Sequence, residues 1–196
     1  MNKRILGITC VILLSCQGVQ AQKAEDTEPQ LYTIKGNHEV AIGYGVLPLP
    51  VLAAGIVDLI TFSYFSQGED RGVAGPLMLN YMYGFEDRWS TGGLAVYSGY
   101  VVNNKDTGAL IYRNDYFSFM PRLDYHYSRN PNVDVYSSVA IGATYLQIHN
   151  REENDRLLYA FHINAIGVRF GKKIGGFVDL GFGMNGLLNA GVSLRL

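Results

Sequence analysis

The chain has 196 residues, 48% hydrophobic and 17% charged, which suits one domain with a full core and is too short for two ordinary ones. That balance excludes a disordered chain, and a formal net charge of −1 without any basic run excludes a nucleic-acid footprint. The 23 Gly and 14 Tyr favour an all-β protein, because glycine weakens helices and tyrosine suits strands.

Residues 1–21, "MNKRILGITCVILLSCQGVQA", run from a basic start (Lys3, Arg4) through an apolar stretch to a small-residue exit at Val19-Gln20-Ala21. This is the pattern of a secretory signal peptide cleaved before Gln22. Both cysteines, Cys10 and Cys16, fall inside it, so a mature chain would hold no disulfide, thiolate nucleophile or cysteine metal site. "LLSC" also has some likeness to a lipoprotein cleavage motif, with acylation of Cys16 as the alternative. Without Lys3 and Arg4 the 16 basic residues fall to 14 against 17 acidic ones, a formal charge of −3. Residues 22–36, "QKAEDTEPQLYTIKG", are polar and acidic and read as a mobile lead-in.

From residue 37 to 196 the chain reads as one β-barrel domain. Eight segments alternate with period two: 38–46, 74–85, 89–102, 115–128, 133–147, 157–171, 176–183 and 187–196. "EDR" at 86–88, "SRNPN" at 128–132 and "KKIGG" at 172–176 make tight breaks, and "MNG" at 184–186 makes a fourth. The connections after the first, third and fifth segments are longer: 47–73, 103–114 and 148–156. Even strand number, with short turns at one end and longer loops at the other, predicts an eight-stranded antiparallel up-and-down transmembrane β-barrel. Most segments reach the roughly 9–11 residues that a tilted strand needs to cross a bilayer.

The two faces of each segment decide what surrounds it. In "YFSFMPRLDYHY", residues 116–127, Phe117, Phe119, Pro121, Leu123, Tyr125 and Tyr127 oppose Ser118, Met120, Arg122, Asp124 and His126. In the last segment Leu188, Ala190, Val192, Leu194 and Leu196 oppose Asn189, Gly191, Ser193 and Arg195. The second face is small as well as polar, which fits a narrow lumen better than a face bathed in water. The apolar face is therefore assigned to lipid. Tyr83, Phe85, Trp89, Tyr125 and Tyr127 flank the tight turns, and Tyr44, Tyr100, Phe117 and Tyr145 lie towards the long loops, as two interfacial girdles would. A soluble secreted barrel with the aromatics in its core is the competing expectation.

The stretch "AIGVRFGKKIGGFVDLGFGMNGLLNAGVSLRL", with its "GVRFGK", "LGFG" and "NAG" elements, and the "GYG" around Tyr44 resemble a group of uncharacterised bacterial outer-membrane β-barrel proteins. The resemblance extends over the mature chain. It implies a small closed barrel of OmpA and OmpX size, placed in outer-membrane lipid from the periplasm by the barrel-assembly machinery, and it implies no established activity.

Charges inside a barrel need partners, since an unpaired one is costly in low dielectric. A hairpin centred on residue 174 would set Arg169 opposite Asp179, with Arg122, Asp124 and Glu39 extending a lumen network. That network reads as a plug of paired side chains, or alternatively as the selectivity element of a narrow small-solute channel. The sixth segment changes parity: Phe161 and Ile163 suit lipid early, Ile166, Val168 and Phe170 late. A β-bulge near Asn164 to Ile166 is expected. "HYS" holds His126 and Ser128, and is similar to the nucleophile arrangement of outer-membrane lipid A deacylases. Serine chemistry there would also need an acid to orient the histidine. Ser128 adjoins the turn "RNPN", where a structural serine is expected, so catalysis is only the alternative and the chain is expected not to be an enzyme. His38, His126, His149 and His162 are scattered, and no HExxH, GxSxG or phosphate loop occurs, so neither a metal nor a cofactor is expected. The apolar run "LPLPVLAAGIVDLITFSYF", 47–65, with Asp58 its only charge, predicts a short helix in the first external loop, opened by Pro50. The functional expectation is a structural or interaction role through the external loops, whose ligand or protein partner the sequence does not name.

Overall fold

The structure, a computed structural model, describes residues 32–50, 52, 69–104, 107–128, 130–149 and 154–196. The signal peptide, the lead-in up to residue 31, and residues 51 and 53–65 of the apolar run lie outside them.

Eight strands follow in chain order: β1 (His38–Val46), β2 (Glu69–Gly84), β3 (Trp89–Asn104), β4 (Leu110–His126), β5 (Val133–His149), β6 (Arg156–Phe170), β7 (Ile174–Gly183) and β8 (Leu188–Arg195). Each pairs antiparallel with its neighbours, and β1 pairs with β8 to close the barrel. Closure leaves the backbone groups of the wall paired with each other, the only way strands can cross a bilayer.

The faces sort as the alternation requires. Phe117, Phe119 and Leu123 point outward and are exposed, Phe119 at 64%, while Ser118, Met120, Arg122, Asp124 and His126 are buried inside. Large apolar side chains cover the outside all the way round, from Ile42 on β1 through Leu79, Ile141, Ile163 and Val178 to Val192 on β8. A soluble barrel would be the reverse, with its apolar set buried and charge outside. The expectation of a transmembrane barrel with its aromatic face outward is met by this inside-out arrangement.

The interior is small for a steric reason. The Phe177 ring fills the lumen so closely that a Cβ on Gly43 or Gly191 would lie 2.8 or 2.7 Å from it. Phe177 joins Ala41, Met78, Leu94, Met120 and Ala140 in an apolar layer across the barrel. Leu94 and Met120 are wholly buried, so this layer is packed rather than open.

Some boundaries differ from the alternation. β2 begins at Glu69, five residues before the expected start, and β4 begins at Leu110, so the external connections are shorter than expected and the strands longer. Strand length is also uneven: β2 to β6 have 15–17 residues, β1, β7 and β8 only 8–10. The bulge expected near Asn164 to Ile166 is present as a register shift there between β6 and β7, matched by one between β5 and β6 at Tyr136/Ser138. Leu49, Pro50 and Leu52 are helical, with Leu52 N–H donating to Pro48 O at 3.1 Å. The helical turn thus opens one residue ahead of Pro50, and Leu49 packs on the apolar layer from above.

Candidate functional site

The residues that could carry chemistry gather in the lumen at the short-turn end. All five charges expected there are inside: Arg122, Asp124, Arg169 and Asp179 are buried and Glu39 is largely so. Arg122 on β4 donates through Nε and Nη2 to the two oxygens of Asp124, at 2.7 and 3.1 Å, a fork-on-fork geometry that fixes both groups. Its guanidinium lies 5.8 Å from the centre of the Tyr136 ring.

Arg169 and Asp179 do not pair. The β6–β7 hairpin sets Arg169 opposite Phe177 and Asp179 opposite Gly167, because its register centres on Lys173 rather than on 174. Asp179 instead accepts from the Tyr136 hydroxyl at 2.6 Å. That contact passes over Gly167, where a Cβ would lie 2.4 Å from Asp179 Oδ1 and 2.6 Å from the Tyr136 ring. Arg169 donates from Nε to Ser193 Oγ at 2.6 Å, lies 3.3 Å from Glu39 Oε1, and caps the turn carbonyls of Gly171, Lys172 and Lys173. It therefore ties the last hairpin to β1.

Two residues not among those expected complete the network. Arg195 donates from Nε to Glu39 Oε2 at 2.5 Å and from Nη2 to Asp134 Oδ2. Asp134 also faces His126 Nδ1, at 2.9 and 3.0 Å from its two oxygens. His126 Nε2 in turn lies 3.1 Å from Ser90 Oγ. Ser128, the serine that sequence spacing offers to His126, is turned away: its Oγ donates to Val133 O at 2.7 Å and accepts from Val135 N–H at 3.1 Å. It is a turn serine, and Ser90 is the partner.

The lead-in closes this end. Ile34 is buried, Gly36 N–H donates to Gly84 O, and Gly84 N–H to Asn37 O. Asn37 Nδ2 donates to the Tyr32 hydroxyl at 3.1 Å, and Arg195 Nη1 reaches that hydroxyl at 3.4 Å. The described part of the lead-in, residues 32–36, thus lies against the short-turn end, with Ile34 buried there. Above it a cavity is lined by Asn37, Asn80, Ser90, Arg122, His126 and Asp179, among others.

The outer wall carries a second polar group near the long-loop end. Asp115 on β4 accepts from Tyr97 at 2.8 Å and from Arg113 Nε at 3.1 Å, and lies 3.2 Å from His149 Nε2. Asp115 stands ten residues along β4 from Tyr125. At about 3.3 Å per residue and a tilt of about 40° that is about 25 Å, the height of an apolar band. The cluster therefore marks the far boundary of the lipid-facing belt, with Phe117 and Tyr145 exposed near it and Tyr83, Phe85, Trp89 and Tyr127 at the other boundary; Tyr44, expected in the far girdle, is exposed on the short strand β1, away from the cluster. Tyr100, expected in the far girdle, is half-buried beside Tyr112 instead.

No protein-family model matches the chain, and no curated protein does. Among solved structures the chain is similar to Ail, the attachment invasion locus protein of Yersinia pestis, at 12% identity and a TM-score of 0.42, over 83% of this chain and 99% of that one. At that identity and score the likeness carries no functional information.

Proposed function

We propose that the protein resides in the bacterial outer membrane and acts as a structural or interaction barrel through its external end. In this reading the signal peptide is removed before Gln22 and the barrel-assembly machinery inserts the rest. The observation that supports an external role is the uneven wall. β6 pairs with β7 only from His162 onward, and β2 with β1 only up to Leu77, so five long strands stand above three short ones. Among the described residues, Leu157 to Ala160 have no partner strand on the β7 side, and Tyr159 is 98% and Leu157 74% exposed. An apolar strand end at the far boundary of the lipid belt, where Leu157 faces Tyr145 across the β5–β6 pair, is suited to contact with an external molecule.

A conducting role has less support. The apolar layer at Met78, Leu94 and Met120 fills the lumen, and Asn185, wholly buried in the β7–β8 turn, donates to Met78 Sδ at 3.0 Å from above. Lipid A deacylation through Ser128 has none, given that side chain's turn bonds. The test is cell-surface capture: intact cells displaying the wild-type barrel are compared with cells displaying Leu157→Ser/Tyr159→Ser for binding to a panel of soluble proteins and to neighbouring cells. Binding that disappears in the double variant supports the reading; binding that persists unchanged would contradict it.

A further inference from the structure

Ser90, His126 and Asp134 come from three strands, yet all sit beside the tight turns and at one level of the lumen. Ser90 is second in β3, His126 last in β4 and Asp134 second in β5. All three are at least nine-tenths buried. An ionised carboxylate can only accept, so a neutral His126 ring would carry its proton on Nδ1, facing Asp134 at 2.9 Å. Nε2 is then free to accept from the Ser90 hydroxyl, 3.1 Å away. This is the order of nucleophile, base and orienting acid that serine acyl transfer uses. Arg195 holds Asp134 from its other side and so keeps the acid in place.

The cavity beside them has the features of a built site. Ser90 and His126 both line it, and Ile34, Asn37 and Gly84 put its outer end at the short-turn side. Asn80 Oδ1 is buried in the same wall with no hydrogen-bond partner among the described residues, an acceptor that awaits a donor. Arg122 spends two of its N–H groups on Asp124, which leaves three of a guanidinium's five for another oxygen.

We propose that Ser90 is a nucleophile towards small acyl esters, with His126 as its base, Asp134 as the orienting acid and Arg122 as the oxyanion donor. This is independent of the external role, since it concerns the opposite end of the barrel. Ser90 Oγ bonds to the acyl carbon as its proton passes to His126 Nε2. The ester C–O bond breaks, and the departing alkoxide takes that proton to leave as the alcohol. Water then adds to the acyl carbon, giving a proton to Nε2. The bond to Oγ breaks, Oγ recovers the proton, and the carboxylic acid is released. A guanidinium lining the same cavity as Ser90 would stabilise the oxyanion in both steps.

The test uses the folded full-length barrel in detergent, treated with diisopropyl fluorophosphate and read by intact mass and peptide mapping. One adduct is expected, on Ser90. It should be absent from boiled, unfolded chain and from Ser90→Ala, and Ser90→Ala should also lose hydrolysis of p-nitrophenyl acetate. His126→Gln should slow labelling by about 100-fold, the usual contribution of a general base. No adduct on Ser90 in the folded barrel would overturn the proposal, and so would labelling at the same rate in folded His126→Gln. If His126→Gln does not fold, the folded-against-unfolded comparison decides, and equal labelling of both forms overturns it.

Discussion

The two ends of the barrel solve opposite problems. At the short-turn end, guanidiniums from β4, β6 and β8 and carboxylates from β1, β4, β5 and β7 are buried together, and the chain from Tyr32 to Asn37 closes over them. At the long-loop end five strands outrun the other three, and apolar side chains such as Leu157 and Tyr159 stand exposed. One end spends its polar groups on each other, and a change there strands a partner in low dielectric. The other leaves its groups available, and a change there disturbs little inside the molecule. Stability and contact are thereby separated along one axis.

Substitutions graded along that axis can break the comparison. The largest effect is expected for Arg195→Ala, which removes the guanidinium shared by Glu39 and Asp134 and leaves them only Arg169 and His126: a loss of about 3–5 kcal/mol, read as the urea midpoint of the reconstituted barrel. Ile141→Arg, in the middle of β5 and 69% exposed to the outside, should cost about 2–4 kcal/mol if lipid surrounds it. Tyr136→Phe removes the donor to buried Asp179 and should cost about 1–3 kcal/mol without moving the insertion yield. Leu157→Arg, at the far boundary of the belt opposite Tyr145, should cost at most about 1 kcal/mol in the same unfolding assay. Equal costs for Ile141→Arg and Leu157→Arg would erase the distinction between belt and rim.

The smallest expected effect is a pH dependence at the rim. The Tyr145 hydroxyl, donating at 2.5 Å, and the Ile148 N–H hold the Asp155 carboxyl below its ordinary value. A depressed carboxyl contributes above its unfolded value, about 3.9, and that contribution is lost as pH falls through the folded value. Amide exchange at Ile148 should therefore quicken only at acid pH, and Asp155→Asn should remove the change.

Much of the fold was legible before the structure. β1 has the bounds that its sequence predicts, because "HEVAIGYGV" alternates without interruption. The start of β2 does not, since "EDRGVAGP" mixes charge, glycine and proline with no period for a strand to show. The β6 bulge is legible because lipid tolerates no inward–outward error: unbroken alternation from Phe161 would turn Arg169 to lipid and Phe170 into the lumen. The partners of the lumen charges were harder. A turn centred on residue 174 pairs Arg169 with Asp179, and moving the centre by one residue slides the facing strand by two, which preserves each face and changes every partner. The Ser90–His126–Asp134 group was hidden for a related reason. Ser90 is 36 residues from His126, so only the β3–β4 register brings them together. A signal was present, since all three occupy inward positions next to tight turns. His126 drew attention to the serine two residues on, whose side chain had local backbone to bind.

The assignment of the apolar face to lipid carries everything else, and one measurement meets it directly. Outer membranes from expressing cells are purified, and the protein is run on a denaturing gel with and without boiling. The expected result is recovery in the outer-membrane fraction, with a compact, faster band unboiled that shifts on heating. Recovery as soluble protein whose mobility boiling does not change would contradict the lipid-facing barrel and turn Phe117, Phe119 and Leu123 into an interface of another kind.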